Sequence, residues 1–157
     1  MKDGKAVMFT CRIVMRVPEF KKETGMSIKK IIQPENAAKP GGVWSTAVVV
    51  TQPGRIVFVS GLTAKNENGE VVCVGDISGQ TRQVCENLRA TLEAAGGSLK
   101  DIVSVTVFVR DIKHFDAIHA VRREYFPSEP PASTMVEVTR LVHEHMLIEI
   151  NAIAALP

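Results

Sequence analysis

The sequence predicts a mixed α/β domain in which two helices cover one face of an aliphatic β-sheet. Three observations carry this. The stretch DIVSVTVFVR (101–110) alternates with period two, setting Val103, Val105, Val107 and Val109 on one face and Ser104, Thr106 and Phe108 on the other. Two other stretches repeat apolar residues at helical spacing. Strand-like runs outnumber these helices and interleave with them in the order ββ(β)αβαββ, an order that layers helices on a mixed sheet. At 157 residues the chain has the length of one domain with a sizeable core, and with aromatics at 5% that core is aliphatic.

In chain order, IKKII (28–32) is a short strand stopped by Pro34, and WSTAVVV (44–50) is a second. QPG (52–54) is a turn signal. RIVFVSG (55–61) is a third strand, with Val57 and Val59 on one face and Ile56, Phe58 and Ser60 on the other, and ENGE (67–70) is another turn. DISGQTRQVCENLRATLEAAGG (76–97) is the clearest helix: Ile77, Val84, Leu88, Leu92 and Ala95 recur on one side, Asp76 can cap the first turn, and Gly96 and Gly97 end it. After the alternating strand a second helix carries Phe115, Ile118, Val121 and Tyr125 as its apolar stripe, until prolines 127, 130 and 131 stop it. TMVEVTRLV (134–142) and MLIEINAIA (146–154) read as two strands joined by the HEH turn. Val136, Val138, Ile148, Ile150 and Ile153, with the alternating valines, exceed what two helices can cover. The uncovered face is therefore expected to pack against other copies of the chain, with pockets at the interfaces.

Composition excludes several classes. A net charge of +2 does not mark a nucleic-acid or polyanionic membrane surface, and no apolar run is long enough to span a bilayer. The three cysteines, Cys11, Cys73 and Cys85, have neither disulfide nor zinc spacing; they fit a reducing compartment such as the cytoplasm, with Cys85 as a small core residue. Residues 1–25 have no clean period and carry Asp3, Glu19 and Glu23, which disfavours a targeting peptide. They are expected to be an extension without chemistry, ahead of a single domain over 26–157, with Met26 a natural alternative beginning.

There is no glycine-rich phosphate loop and no GxSxG elbow. His143 and His145 flank a tight turn without a third ligand, so no metal site is expected there. His114 reads as a helix-start residue, and His119 either as a half-buried surface group or as a pocket group. Glu149 is the most informative residue, because a carboxylate inside a strand of core residues must be paired or face a wet cleft. It, and Glu137 in the preceding strand, either point to solvent or, for Glu149, orient a water as general base. PPASTMVEV (130–138) is either a rigid strand entry or the floor of a ligand pocket.

From Ser60-Gly61, through GQTRQVCENLRATLEAAGGSLKDIVSVTVFVRDIKHF (79–115), to PPASTMVEVTRLV and LIEINAIA, the chain resembles the RidA/YjgF-like family of reactive-intermediate deaminases. The similarity runs from about Ile28 to Ala154. It implies a chorismate-mutase-like fold, a homotrimer with three clefts between subunits, and hydrolysis of enamines and imines to keto acids and ammonia without metal or organic cofactor. By position, Trp44 falls nearest the family's loop tyrosine, Gly61 after Ser60 matches a glycine that lies along the ligand, and His119 replaces an asparagine. Glu149 matches the glutamate associated with the catalytic water. Where the family reads PARS, this chain reads PAST: Ser133 takes the place of an arginine that grips the substrate carboxylate, followed by Thr134, and Met135 replaces a cysteine. A guanidinium is a permanent bidentate clamp, and exchanging it for one neutral hydroxyl costs on the order of several kcal/mol in binding and positioning.

Two functions follow as expectations. In one, Glu149 positions water for attack on an imine carbon while Ser133, Thr134 or His119, with backbone near Gly61, hold the substrate. In the other, the cleft binds a small metabolite without turnover. RNA cleavage, a third activity attached to the family, finds no basic aromatic surface here.

Overall fold

The computed structural model describes residues 28–33 and 39–157. The extension over 1–25, the alternative beginning at Met26 and the stop at Pro34 lie outside the described residues. Strands β1 (Ile28–Ile32) and β2 (Ala47–Thr51) form an antiparallel pair, with Ile28 opposite Thr51 and Ile32 opposite Ala47. A four-stranded sheet contains β3 (Arg55–Thr63), β4 (Ile102–Val109), β5 (Ala132–Glu137) and β6 (Ile148–Leu156) in the order β3-β6-β4-β5. Helices α1 (Ile77–Ala94) and α2 (Phe115–Tyr125) pack on one face. This is the mixed α/β architecture expected.

The second strand begins at Ala47 rather than Trp44. Ser45 is drawn instead to the edge of the main sheet, where it bridges Ala132 in parallel and donates its N–H to the Pro131 carbonyl (2.9 Å). The last two strands are neighbours in sequence but not in the sheet, because β4 lies between them. It pairs parallel with β5 and antiparallel with β6. A parallel pair needs a crossover, and α2 supplies it. The HEH residues therefore lie in a loop, not a hairpin turn. Buried Gln80 of α1 fixes that loop, donating to the His145 carbonyl (2.7 Å) and accepting from the Leu147 N–H (2.8 Å).

Helix α1 behaves as the sequence predicts. Asp76 accepts from the Gly79 N–H (3.0 Å), and Gly96 ends the helix at φ 80°. Its Val84, Leu88 and Leu92, with Ile118 of α2, meet Val105, Val107, Ile148, Ile150 and Ala154 of the sheet; all are buried. Each fully buried Leu or Ile contributes about 1.5–3 kcal/mol of transfer free energy. Helix α2 departs from expectation. Its buried residues are Ile118, His119, Val121 and Arg122, while Phe115 is exposed. The helix turns two polar side chains inward because it sits over the β5 edge, where hydroxyl and backbone partners are available.

Two details correct the face assignments. A register shift between Ile102 and Ser104 moves Ile102, rather than Val103, onto the buried face. Ile148 and Ile150 also belong to the helix-covered face. The uncovered face is nonetheless apolar: Ile56, Phe58, Val136 and Ile153 are exposed there, Phe58 by 76%, with Phe58 opposite Ile153 and Val136 opposite Phe108. Among the described residues no helix is long and apolar enough to cross a membrane.

Candidate functional site

The register divides the residues singled out from the sequence between the two faces of the sheet. Glu149 is opposite Phe108 on β4 and Thr63 on β3, on the face that the helices leave open. It is half-buried. Between Val59 and Leu62, β3 carries one extra residue, so Ser60 and Gly61 together oppose Asn151. This bulge brings Gly61 under the carboxylate: a Cβ built there would fall onto Glu149 Oε1. Glycine is needed at 61 because the carboxylate occupies the space that any side chain would take. Thr134 pairs with Thr106, which pairs with Asn151; these three form a polar row beside Glu149, and the Thr106 N–H donates to Asn151 Oδ1 (3.1 Å).

Ser133 and Met135 point the other way. They pair with Val105 and Val107, whose side chains lie under the helices, and Met135 packs against the core. Ser133 accepts a hydrogen bond from Arg122 Nη2 of α2 (3.1 Å). One turn earlier on the same helix, His119 is 2% exposed, so it is a buried group rather than a half-buried surface one. Its Nδ1 accepts from the Val43 N–H (2.9 Å), which leaves the proton on Nε2. Gly42 lies flat on the imidazole, where a Cβ would approach Cε1 to 2.7 Å. Trp44, half-buried, follows Val43 in the loop that bridges to Ala132. Loop, α2 and β5 thus assemble His119, Arg122 and Ser133 at the sheet's edge.

Burial, with the charges of Arg122 and Arg123, pushes the His119 pKa down to about 4. The imidazole is neutral at physiological pH and serves as a fixed hydrogen-bonding group. Its folded-state pKa lies below the unfolded value near 6.5, so the stabilisation is complete above that pH and is lost as pH falls through the folded value. Unfolding free energy is expected to drop by up to about 3 kcal/mol between roughly pH 6.5 and 4 through this residue. Denaturant titrations of wild type and His119→Gln check it: the variant's stability should fall less over that window, and equal pH slopes would refute the assignment.

One chain therefore brings Gly61 to Glu149 and His119 to Ser133, but not these two groups to each other. A cavity of about 490 Å³ bounded by Lys29, Arg89, Leu99 and Tyr125 holds none of them. Sequence reasoning missed Arg122, Thr106 and Asn151. Asn151 had a readable signal, since it lies two residues from Glu149 on one strand and so shares its face. Among the described residues no three His, Cys, Asp or Glu side chains converge as a metal site would require.

Comparison with known proteins gives these residues a context. The family model described as Endoribonuclease L-PSP matches residues 34–156. The 3-aminoacrylate deaminase RutC of Acinetobacter baylyi is 44% identical over 126 residues, 80% of this chain and 97% of that protein. A 2-iminobutanoate/2-iminopropanoate deaminase of Dermatophagoides farinae is 34% identical over 131 residues, 83% and 99% of the two chains. Among solved structures, a Rid-family protein of unknown function from Yersinia pestis, YyfB, superposes with a TM-score of 0.75 at 33% identity, covering 82% of this chain and 98% of that one. The chain belongs to the endoribonuclease L-PSP family, that of the RidA/YjgF-like and RutC proteins.

Proposed function

We propose that this protein hydrolyses an enamine or imine to a carbonyl compound and ammonia in a cleft between subunits. The observation that carries the reading is the Glu149 carboxylate, seated on Gly61 beside the polar row of Thr134, Thr106 and Asn151 on an otherwise apolar face. Deaminase-named relatives support this chemistry for the family. Water adds to the C=N carbon as Glu149 takes its proton; the nitrogen gains protons and leaves as ammonia, and the C=O bond forms. A protonated imine is already electrophilic, so placing and deprotonating one water supplies much of the catalysis. The catalytic step uses no group other than side chains and water.

The division of the site supports an oligomer. The Glu149 group lies on the open face and the His119–Ser133 group at the opposite side of the β5 edge. Packing the open face of one copy on the edge of the next would cover Phe58, Ile56 and Ile153 and complete a cleft with Glu149 from one copy and Ser133, His119 and Trp44 from its neighbour. Three copies closing a ring would make three such clefts.

The direct test generates imines with an amino-acid oxidase and follows their decay. Acceleration proportional to protein concentration is expected, and saturable binding without acceleration would identify a metabolite-binding protein instead. For the assembly, light scattering should give three times the mass of one chain. Phe58→Asp should shift it to monomer and lower imine turnover in parallel. A monomeric wild type that turned over imines would refute the shared cleft.

A further inference from the structure

Strands β1 and β2 form a sheet of their own, yet the loop between them delivers Val43, Trp44 and Ser45 to the β5 edge. One side chain reaches out of this hairpin at its other end. Lys29 of β1 is half-buried, and its Nζ donates to three main-chain carbonyls, those of Lys100 (3.0 Å), Ile102 (3.0 Å) and Glu129 (3.2 Å). The three belong to the turn before β4, the first residue of β4 and the loop before β5. An amine has two hydrogens to give and an ammonium three, so this seat calls for the charged form. The hairpin also caps three successive carbonyls ahead of β5. Glu129 O accepts from Lys29 Nζ, Pro130 O from Ser45 Oγ, and Pro131 O from the Ser45 N–H. Prolines 130 and 131 have no N–H, so their carbonyls are the handles by which this backbone is held. Glu129 has φ 47°, a conformation that a residue other than glycine keeps only when its surroundings impose it. Ala132 and Ser133 follow directly.

We propose that Lys29 is a positioning residue for the cleft: its ammonium, seated on three carbonyls, locks the β1–β2 hairpin against the entry to β5 and so fixes Trp44 relative to Ser133. The role in catalysis rests on the function proposed above, in which these residues form one wall of the shared cleft. A wall set in advance spares the ordering that substrate binding would otherwise have to impose. Lys29 therefore acts on binding, while the chemistry at Glu149, on the other face of the sheet, is left alone. The cavity of about 490 Å³ that Lys29 bounds lies beside the seat. Cutting Lys29 back to alanine joins that space to the vacated carbonyls and gives a small alkylammonium a way in.

The test combines amide hydrogen exchange with imine kinetics for wild type, Lys29→Met and Lys29→Ala. In both variants the Val43 and Ser45 amides should exchange about tenfold faster or more, while amides of the α1 core such as Leu88 keep their wild-type protection. KM should rise several-fold, with kcat within about twofold of wild type. Propylammonium, the severed part of the side chain, should restore both loop protection and KM to Lys29→Ala. Tetramethylammonium, which has no N–H to donate, should restore neither, and wild type with each amine is the control. Unchanged exchange in both variants would overturn the proposal. Faster exchange that the two amines repair equally, or not at all, would also overturn it and assign the effect to the alkyl stem. A loosened loop with unchanged KM would limit Lys29 to stability. Should Lys29→Ala fail to fold, Lys29→Met, which keeps a stem of similar length, decides through exchange and KM. If wild type turns over no imine, the deaminase reading fails separately, and exchange with the amine rescue still decides whether the Lys29 ammonium holds the loop.

Discussion

Glu149→Gln is expected to lower imine turnover by at least about a hundredfold, with little change in KM or stability. The amide has the shape of the carboxylate and keeps one acceptor oxygen toward solvent, but it cannot take the proton that water loses on attacking the imine carbon. Glu149 is half-buried on the open face, so the exchange removes a charge from a wet position and leaves no orphaned partner. Stability should change by less than about 0.5 kcal/mol. Gly61→Ala gives an independent check through position rather than chemistry. Its methyl group would land on Glu149 Oε1, and the carboxylate must swing away. Because a displacement of about 1 Å can cost on the order of a hundredfold, this variant should lose kcat while retaining the acid. A Glu149→Gln protein with undiminished imine hydrolysis would remove the general base from the mechanism, and the activity would need another explanation.

How far the sequence disclosed these features depended on the distance over which each is determined. The α1 cap at Asp76, its glycine end and the alternation of β4 are local, and each was legible. The bulge that exchanges Ile102 for Val103 is set by pairing across β4 and β6, and nothing within 101–110 encodes it. The separation of β5 from β6 is likewise a matter of sheet order, which a short connecting loop obscures. Helix α2 was misread for a different reason. A hydrophobic stripe at 3.6-residue spacing picks out Phe115, Ile118, Val121 and Tyr125 and gives no sign of Arg122. The actual buried face mixes Ile118 and Val121 with His119 and Arg122 because a hydroxyl and a backbone N–H await them. Glu149 was legible because a carboxylate in a run of isoleucines and alanines conflicts with its surroundings, and such conflicts concentrate at functional positions.

Ser133→Arg should destabilise the protein and fail to raise its activity, although the sequence alone makes it the obvious restoring change. Ser133 lies on the helix side of β5 at 3.1 Å from Arg122 Nη2. A second guanidinium there meets one that is already buried, with no carboxylate between them. Enclosing an uncompensated charge beside a like charge costs about 3 kcal/mol or more, so the denaturation midpoint should fall well below that of wild type. Combining it with Arg122→Leu removes the conflict. One cation then occupies the same small region, now on the strand instead of the helix, and the helix contributes an apolar side chain toward Phe126. Much of the lost stability should return, and imino-acid kcat/KM should exceed that of either single variant. The coupling free energy between the two positions should reach about 1–3 kcal/mol, as contacting residues with a shared partner give. Denaturant unfolding of the four proteins measures it. Additive effects, or a Ser133→Arg protein as stable as wild type, would mean that the two side chains do not share one site, and that the cation serving this cleft lies elsewhere.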